Sequence, residues 1–316
     1  MRQLTFGGEN AEAYFSFDGK KLIFQSTRPP FTADQMFTMN IDGSDVRLVS
    51  TGKGRCTCGF WSPDGKKILY SSTDWYSAEP PPPPDRSQGY VWGLFPYRLF
   101  MANADGSERV ALTDGDAYNA EGSFHPRGDR VLFTTTRWGN IDLAELNLRT
   151  KRIRRLTTEI GYNGGPFYSW DGRYIVYRAY HPKTDEEIKE FQDLLRKRLV
   201  RPSQLELWVM TADGRRKRRV SQLGQANFAP FMKPGNRHII FSSNHHDPRG
   251  REFDLFLINL DGTGVEQVTY TGDFDGFPMF SRDGKKLVWA SNRTAKTRGE
   301  TNIYIADWVE KPTAAE

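Results

Sequence analysis

The chain has 316 residues, with 44 Lys and Arg against 39 Asp and Glu, a formal charge of +5. That small excess does not mark a nucleic-acid binder, and no apolar run is long enough for a transmembrane helix. Two cysteines, Cys56 and Cys58, stand too close for an unstrained disulfide, so no disulfide framework is expected.

In chain order, the first clear element is Phe15–Phe24, FSFDGKKLIF: an aromatic residue, a polar turn centred on Gly, then a short β-rich run. The same signal returns at Trp61–Tyr70 (WSPDGKKILY), Phe124–Phe133, Tyr168–Tyr177, Phe231–Phe241 and Phe280–Trp289. Six hairpin signals predict six copies of one unit. The turn glycines are Gly19, Gly65, Gly128, Gly172, Gly235 and Gly284; three intervals are 44–49 residues and two are longer by nearly twenty. The shorter interval is the length of a four-stranded propeller blade.

Each unit has one grammar. Strand a ends in the aromatic residue and strand b follows the turn. Strand c is expected at Gln35–Asn40, Arg98–Asn103, Ile141–Leu146, Glu206–Thr211, Asp254–Asn259 and Asn302–Asp307. An Asp-Gly turn often follows, as at Asp42-Gly43 and Asp105-Gly106, where Gly accepts positive φ. Strand d then closes on Leu or Val before Thr or Ser, as at Leu112-Thr113 and Leu156-Thr157. The sixth unit has no strand d of its own, and Arg2–Thr5 matches one. The expected fold is all-β: a six-bladed β-propeller of four-stranded blades, residues 1–316 as one domain, closed by the N-terminal strand. Basic runs at Lys151–Arg155 and Arg215–Arg219 fall beside strand d, where charge guards an exposed edge. A polyanion-binding stripe is the other reading, and no nucleic-acid partner is expected.

The FSPDGKKI-type hairpin, the Asp-Gly turn and the Leu-Thr strand end resemble the repeats of the TolB-like six-bladed β-propeller family along the whole chain. The resemblance implies a periplasmic or secreted setting. No signal peptide precedes the first strand, so the start equally fits a trimmed or a cytoplasmic chain. Similar repeats also form the gating propeller of prolyl-oligopeptidase-type peptidases, but no Gly-x-Ser-x-Gly elbow occurs here.

Everything irregular belongs to one face, formed by the b–c and d–a loops. The first insertion, 73–97, holds Pro80–Pro84, a stiff spacer, and an aromatic cluster that includes Tyr90, Trp92, Phe95 and Tyr97. That cluster either packs on the rim or contacts a ligand. The second insertion, 181–202, places Ile188, Phe191, Leu194, Leu195 and Leu199 at helical spacing, with acids first and bases last. It reads as one amphipathic helix in blade 4, a lid or a brace. A third elaboration, 244–252, holds His245, His246, Asp247, Arg249 and Arg251.

Residues entering strand a should line the channel mouth: Glu9, Asn10 and Glu12, then Arg55, Cys56 and Cys58. Tyr118, Asn119, Glu121, Tyr162, Asn163, Asn227, Asp273 and Asp275 follow in the later blades. Their carboxylates and amides either converge on a divalent cation, the one cofactor on offer, or bond water and neighbouring blades. His181, His245, His246 and Asp247, with Asp273 and Asp275, are the candidate metal ligands. No catalytic residue is assigned. The favoured function is a binding scaffold, a monomer that holds a protein, peptide or glycan on the elaborated face. The alternative is a metal-dependent hydrolase or lyase at the channel mouth.

Overall fold

The computed structural model describes residues 1–87 and 89–310. Among them, six antiparallel four-stranded sheets succeed one another as blades. Blade 1 is typical: strand a Glu9–Phe15, b Lys21–Thr27, c Gln35–Asn40 and d Arg47–Leu48. Blade 6 takes Asp275–Phe280, Lys286–Ser291 and Asn302–Asp307 from the C-terminal end, and its fourth strand, Arg2–Gln3, from the N-terminal end. The ring therefore closes within one sheet.

The hairpin signal works through its side chains. In blade 2 the Ser62 hydroxyl donates to Asp64 at 2.6 Å, Asp64 accepts the Lys66 N–H, and Ser62 accepts the Lys67 N–H. Gly65 sits at φ 68°, where a Cβ is disfavoured.

The Leu-Thr strand end has an equally local cause. Strand d stops one residue before the apolar member, as at Val110–Ala111 before Leu112. The next hydroxyl then accepts a backbone N–H from strand c. Leu99 donates to Thr113, Leu143 to Thr157, Leu207 to Ser221, Leu255 to Thr269, and Ile303 to Thr5. Strand c of blade 3 begins one residue later than expected, at Asp142, because Ile141 bridges to Tyr162 of the next blade.

Every strand a carries a bulge, visible as a break in register with strand b. At its centre one residue has positive φ: Glu12, Cys58, Glu121, Gly165, Ala229 or Phe277. A bulge twists its strand and re-aims a side chain. All six of these residues line the central channel.

The insertions brace one another. Trp92–Gly93 pairs antiparallel with Leu199–Val200. The helix, Asp185–Arg196, starts in a capping box between Thr184 and Glu187 and buries Phe191. Phe191 shares a core cluster with Leu94 of the first insertion and Val200 of the second.

Candidate functional site: a cup on the propeller axis

The central channel is a cup with a floor. Two residues past each bulge stand Tyr14, Phe60, Phe167 and Phe231 among others. Their rings meet edge-on or tilted, Tyr14 to Phe167 at 5.4 Å, Phe60 to Phe167 at 5.8 Å and Phe167 to Phe231 at 5.1 Å. Beneath them remains a void of about 10 Å³ beside Phe17 and Trp170. Above them the cavity measures about 500 Å³. Trp92, Leu94 and Phe95 of the first insertion form part of its wall.

One charged cluster is built into this aromatic wall. Arg178 lies in strand b of blade 4 (Tyr174–Tyr180) and is buried. It forms an ion pair with Glu121 and donates to the Tyr162 hydroxyl from Nη2 at 2.7 Å and from Nε at 3.1 Å. Burial works most strongly against its charge, but the Glu121 carboxylate together with the Tyr162 and Tyr118 hydroxyls outweighs this and raises its pKa. Glu121 Oε2 also accepts from the Thr134 hydroxyl at 2.6 Å and the Gly165 N–H at 2.8 Å. The Trp92 ring stands over the guanidinium, 5.4 Å from its centroid. Room for the arginine comes from Gly165: a Cβ there would lie 2.1 Å from Nη1.

Glu12 faces the same space without an ion-pair partner within salt-bridge reach among the described residues. Burial, and then the Glu121 charge, push its pKa up to about 7. Cys58 hydrogen-bonds Glu12, and burial raises its thiol pKa well above the ordinary value. Nearer the rim, Asp34 stands 4.0 Å from Arg55, which lies over the Phe95 ring. The cup can thus present ring faces, a protonatable carboxyl and a fixed Arg–Glu–Tyr cluster to one guest.

Seven expected ligand-binding residues come together here: Tyr90, Trp92, Phe95, Tyr97, Tyr118, Glu121 and Tyr162. Four lie elsewhere. Asn163 and Asn227 are buried between blades, donating to the Ile141 and Leu205 carbonyls. Asn10 and Asn119 make the same inter-blade clamp in their own blades. Arg249 and Arg251 are exposed, with Arg249 beside Asp247 at 3.5 Å. Arg178 was not foreseen; its signal is a lone charge within the apolar run Tyr174–Tyr180.

The six expected metal ligands do not converge. His181 bonds Asn163 and lies against Trp208. His245 bonds Ser243. Asp247 accepts the backbone N–H groups of Arg249, Arg251 and Glu252. Asp273 is exposed, and Asp275 is buried against Arg293 at 2.8 Å. His246 instead meets Glu252 and Asp254.

No protein-family model matches the chain. An uncharacterized protein of Agrobacterium fabrum is 24% identical over 265 residues, covering 72% of this chain and 82% of that protein. TolB from Acinetobacter baumannii has a similar structure, with a TM-score of 0.65 at 17% identity, over 96% of this chain and 61% of that one. An oligogalacturonate lyase from Vibrio parahaemolyticus gives 0.56 at 14% identity, over 96% and 92%. At these identities the likeness is one of fold. The fold is a closed six-bladed β-propeller, and its architecture is TolB-like.

Proposed function

We propose that this propeller is a binding scaffold whose cup receives part of a protein, peptide or glycan at the face carrying the insertions. The observation that supports this most is the blind, aromatic-walled cavity of about 500 Å³ with Arg178, Glu121, Tyr162 and Glu12 grouped in its wall. Such a cavity buries a side chain or a sugar ring and orients it by a few polar groups. Two arginines of the basic runs, Arg154 and Arg218, are engaged by neighbouring blades. Arg154 donates to the Ala212 and Asp213 carbonyls, and Arg218 to that of Leu260. The proposal takes residues 1–316 as one domain acting as a monomer, with a periplasmic setting by the family resemblance. Among the described residues no helix is long and apolar enough to cross a membrane.

Screening the protein against peptide and oligosaccharide arrays, followed by calorimetry on the best binder, tests this reading. Trp92→Ala and Tyr97→Ala should each weaken binding about 10-fold or more. Asp64→Asn, in a hairpin turn on the opposite face, should leave it unchanged. Equal loss from both faces would defeat the proposal.

A second reading, a hydrolase or lyase at the channel mouth, draws on Glu12. A carboxyl with its pKa near 7 exchanges its proton at physiological pH, as a general acid or base must. Turnover of the selected ligand, abolished by Glu12→Gln with binding retained, would choose this reading over a scaffold.

A further inference from the structure

A second cluster lies outside the cup, on blade 5. His246 and Glu252 belong to the b–c loop, and Asp254 opens strand c (Asp254–Asn259). His246 Nε2 stands 3.2 Å from Asp254 Oδ2 and 3.7 Å from Glu252 Oε1, and the three ligand atoms lie within 4.8 Å of one another. Both ring nitrogens of His246 are nevertheless buried and make no hydrogen bond among the described residues. The Asp254 oxygen is close to Nε2 but is not aligned as an acceptor. Two ligand atoms of one ion, each at about 2.0–2.2 Å from it, lie about 3.0–3.5 Å apart. The Nε2–Oδ2 separation falls in that range.

Blade 3 shows what this position needs. There Asp142 opens strand c, accepts from Thr157 Oγ1 and is neutralised by Arg155 at 2.8 Å. Arg155 faces Ala144 in the ladder; at the same register in blade 5, opposite Phe256, stands Gln267. Thr269 donates to Asp254 just as Thr157 does to Asp142. Gln267 donates to Asp254 Oδ2 at 2.9 Å but brings no charge. A fully buried aspartate and a neighbouring glutamate thus lack the cation that blade 3 carries in the same place.

The surroundings hold the ligands in position. Gln267, Thr269 and the Thr271 N–H fix the Asp254 carboxylate. Asp247 binds three backbone N–H groups, that of Glu252 among them, and so shapes the loop instead of ligating. Such outer contacts orient the groups that touch a metal. We propose that His246, Glu252 and Asp254 form a site for one divalent transition-metal ion, with an imidazole and two carboxylates as ligands. A neutral histidine and two carboxylates carry a charge that one such ion balances, and this N/O set suits zinc.

The test is calorimetric titration of chelator-treated, desalted full chain with zinc chloride, with cobalt(II) absorption as a second readout. One saturable site is expected. His246→Gln and Glu252→Gln should each lower affinity at least about 10-fold, whereas His245→Gln, whose ring bonds Ser243, should not. Unchanged circular dichroism shows that the variants fold. Asp254→Asn is avoided because Asp254 also holds strand d. Absence of one-to-one uptake by the wild type, or uptake indifferent to His246→Gln, would overturn the site and leave only a histidine–aspartate contact.

Discussion

Arg178 owes its place to an absent side chain. Gly165 has φ +58°, and any Cβ there would lie 2.1 Å from the guanidinium. Gly165→Ala therefore combines left-handed backbone strain with displacement of the Arg178–Glu121 pair. A loss of about 1–3 kcal/mol is expected, measured by urea unfolding, together with loss of cup binding. Unchanged stability and binding would mean that the arginine can find another seat. Glu12 supplies a pH signature. Its folded pKa, about 7, lies above the unfolded value of 4.5, so the folded state holds the extra proton between them. Its contribution is complete below about pH 4.5 and is lost as pH rises through 7, a change of about 3 kcal/mol. Relative to Glu12→Gln, the wild type should lose stability over that window and run parallel above it. Parallel curves throughout would show that Glu12 is ionised like an exposed acid. These details lay beyond the sequence. Glu12 and Glu121 were legible as channel-mouth residues from their place before the repeated hairpin. Their positive φ was not, because a bulge at a non-glycine residue is imposed by the whole sheet. The direction of Arg178 was hidden for the same reason.

At the scale of elements, the regular parts were legible because their causes are local. The Ser-x-Asp-Gly turn and the Thr hydroxyl on strand c act within a few residues or one hairpin, and each recurs from blade to blade. The helix was legible from its apolar spacing and its order of charges, acids first and bases last. The pairing of Trp92–Gly93 with Leu199–Val200 was not, since two-residue strands from distant insertions leave no pattern. Nor was the destination of the basic runs. Arg154 and Arg218, in runs expected to guard an edge, also bond the next blade's c–d turn, and Arg2 does the same to Ile41 at 2.9 Å. The insertions divide the work: the helix packs near Leu94, and the first insertion reaches the cup. A weakened helix should therefore loosen the cup wall. Thr184→Ala removes the cap and should cost about 1 kcal/mol locally. Hydrogen exchange should quicken in Asp185–Arg196 and also at Trp92–Phe95, while the blade strands stay protected. Faster exchange confined to the helix would show that it is no brace for the cup.

The ring closes at a seam between the first strand and strand c of blade 6. Arg2–Gln3 pairs with strand c of blade 6, the Leu4 N–H donates to the Ile303 carbonyl, and Thr5 accepts from Ile303 and donates to Asn302. Leu4 is buried with the core. Removing residues 1–5 would expose the edge of strand c, unbury Leu4 and leave Asn302 short of a partner inside the sheet. Burial of one leucine is worth about 1.5–3 kcal/mol, and each lost hydrogen bond about 1 kcal/mol. A loss of about 3 kcal/mol or more is expected, read as a lower thermal midpoint. Because each blade packs on two neighbours, an opened seam leaves blades 1 and 6 each supported on one side. The transition should fall as a whole and remain single if the ring unfolds as one unit. Phe6 provides the control: it is 79% exposed, so Phe6→Ser should stay within about 0.5 kcal/mol of wild type. If the truncated chain melted with the wild type, the borrowed strand would be an ornament on a sheet already closed by blade packing. If only blade 6 loosened, with the cup's ligand still bound, the ring would be a set of separable blades.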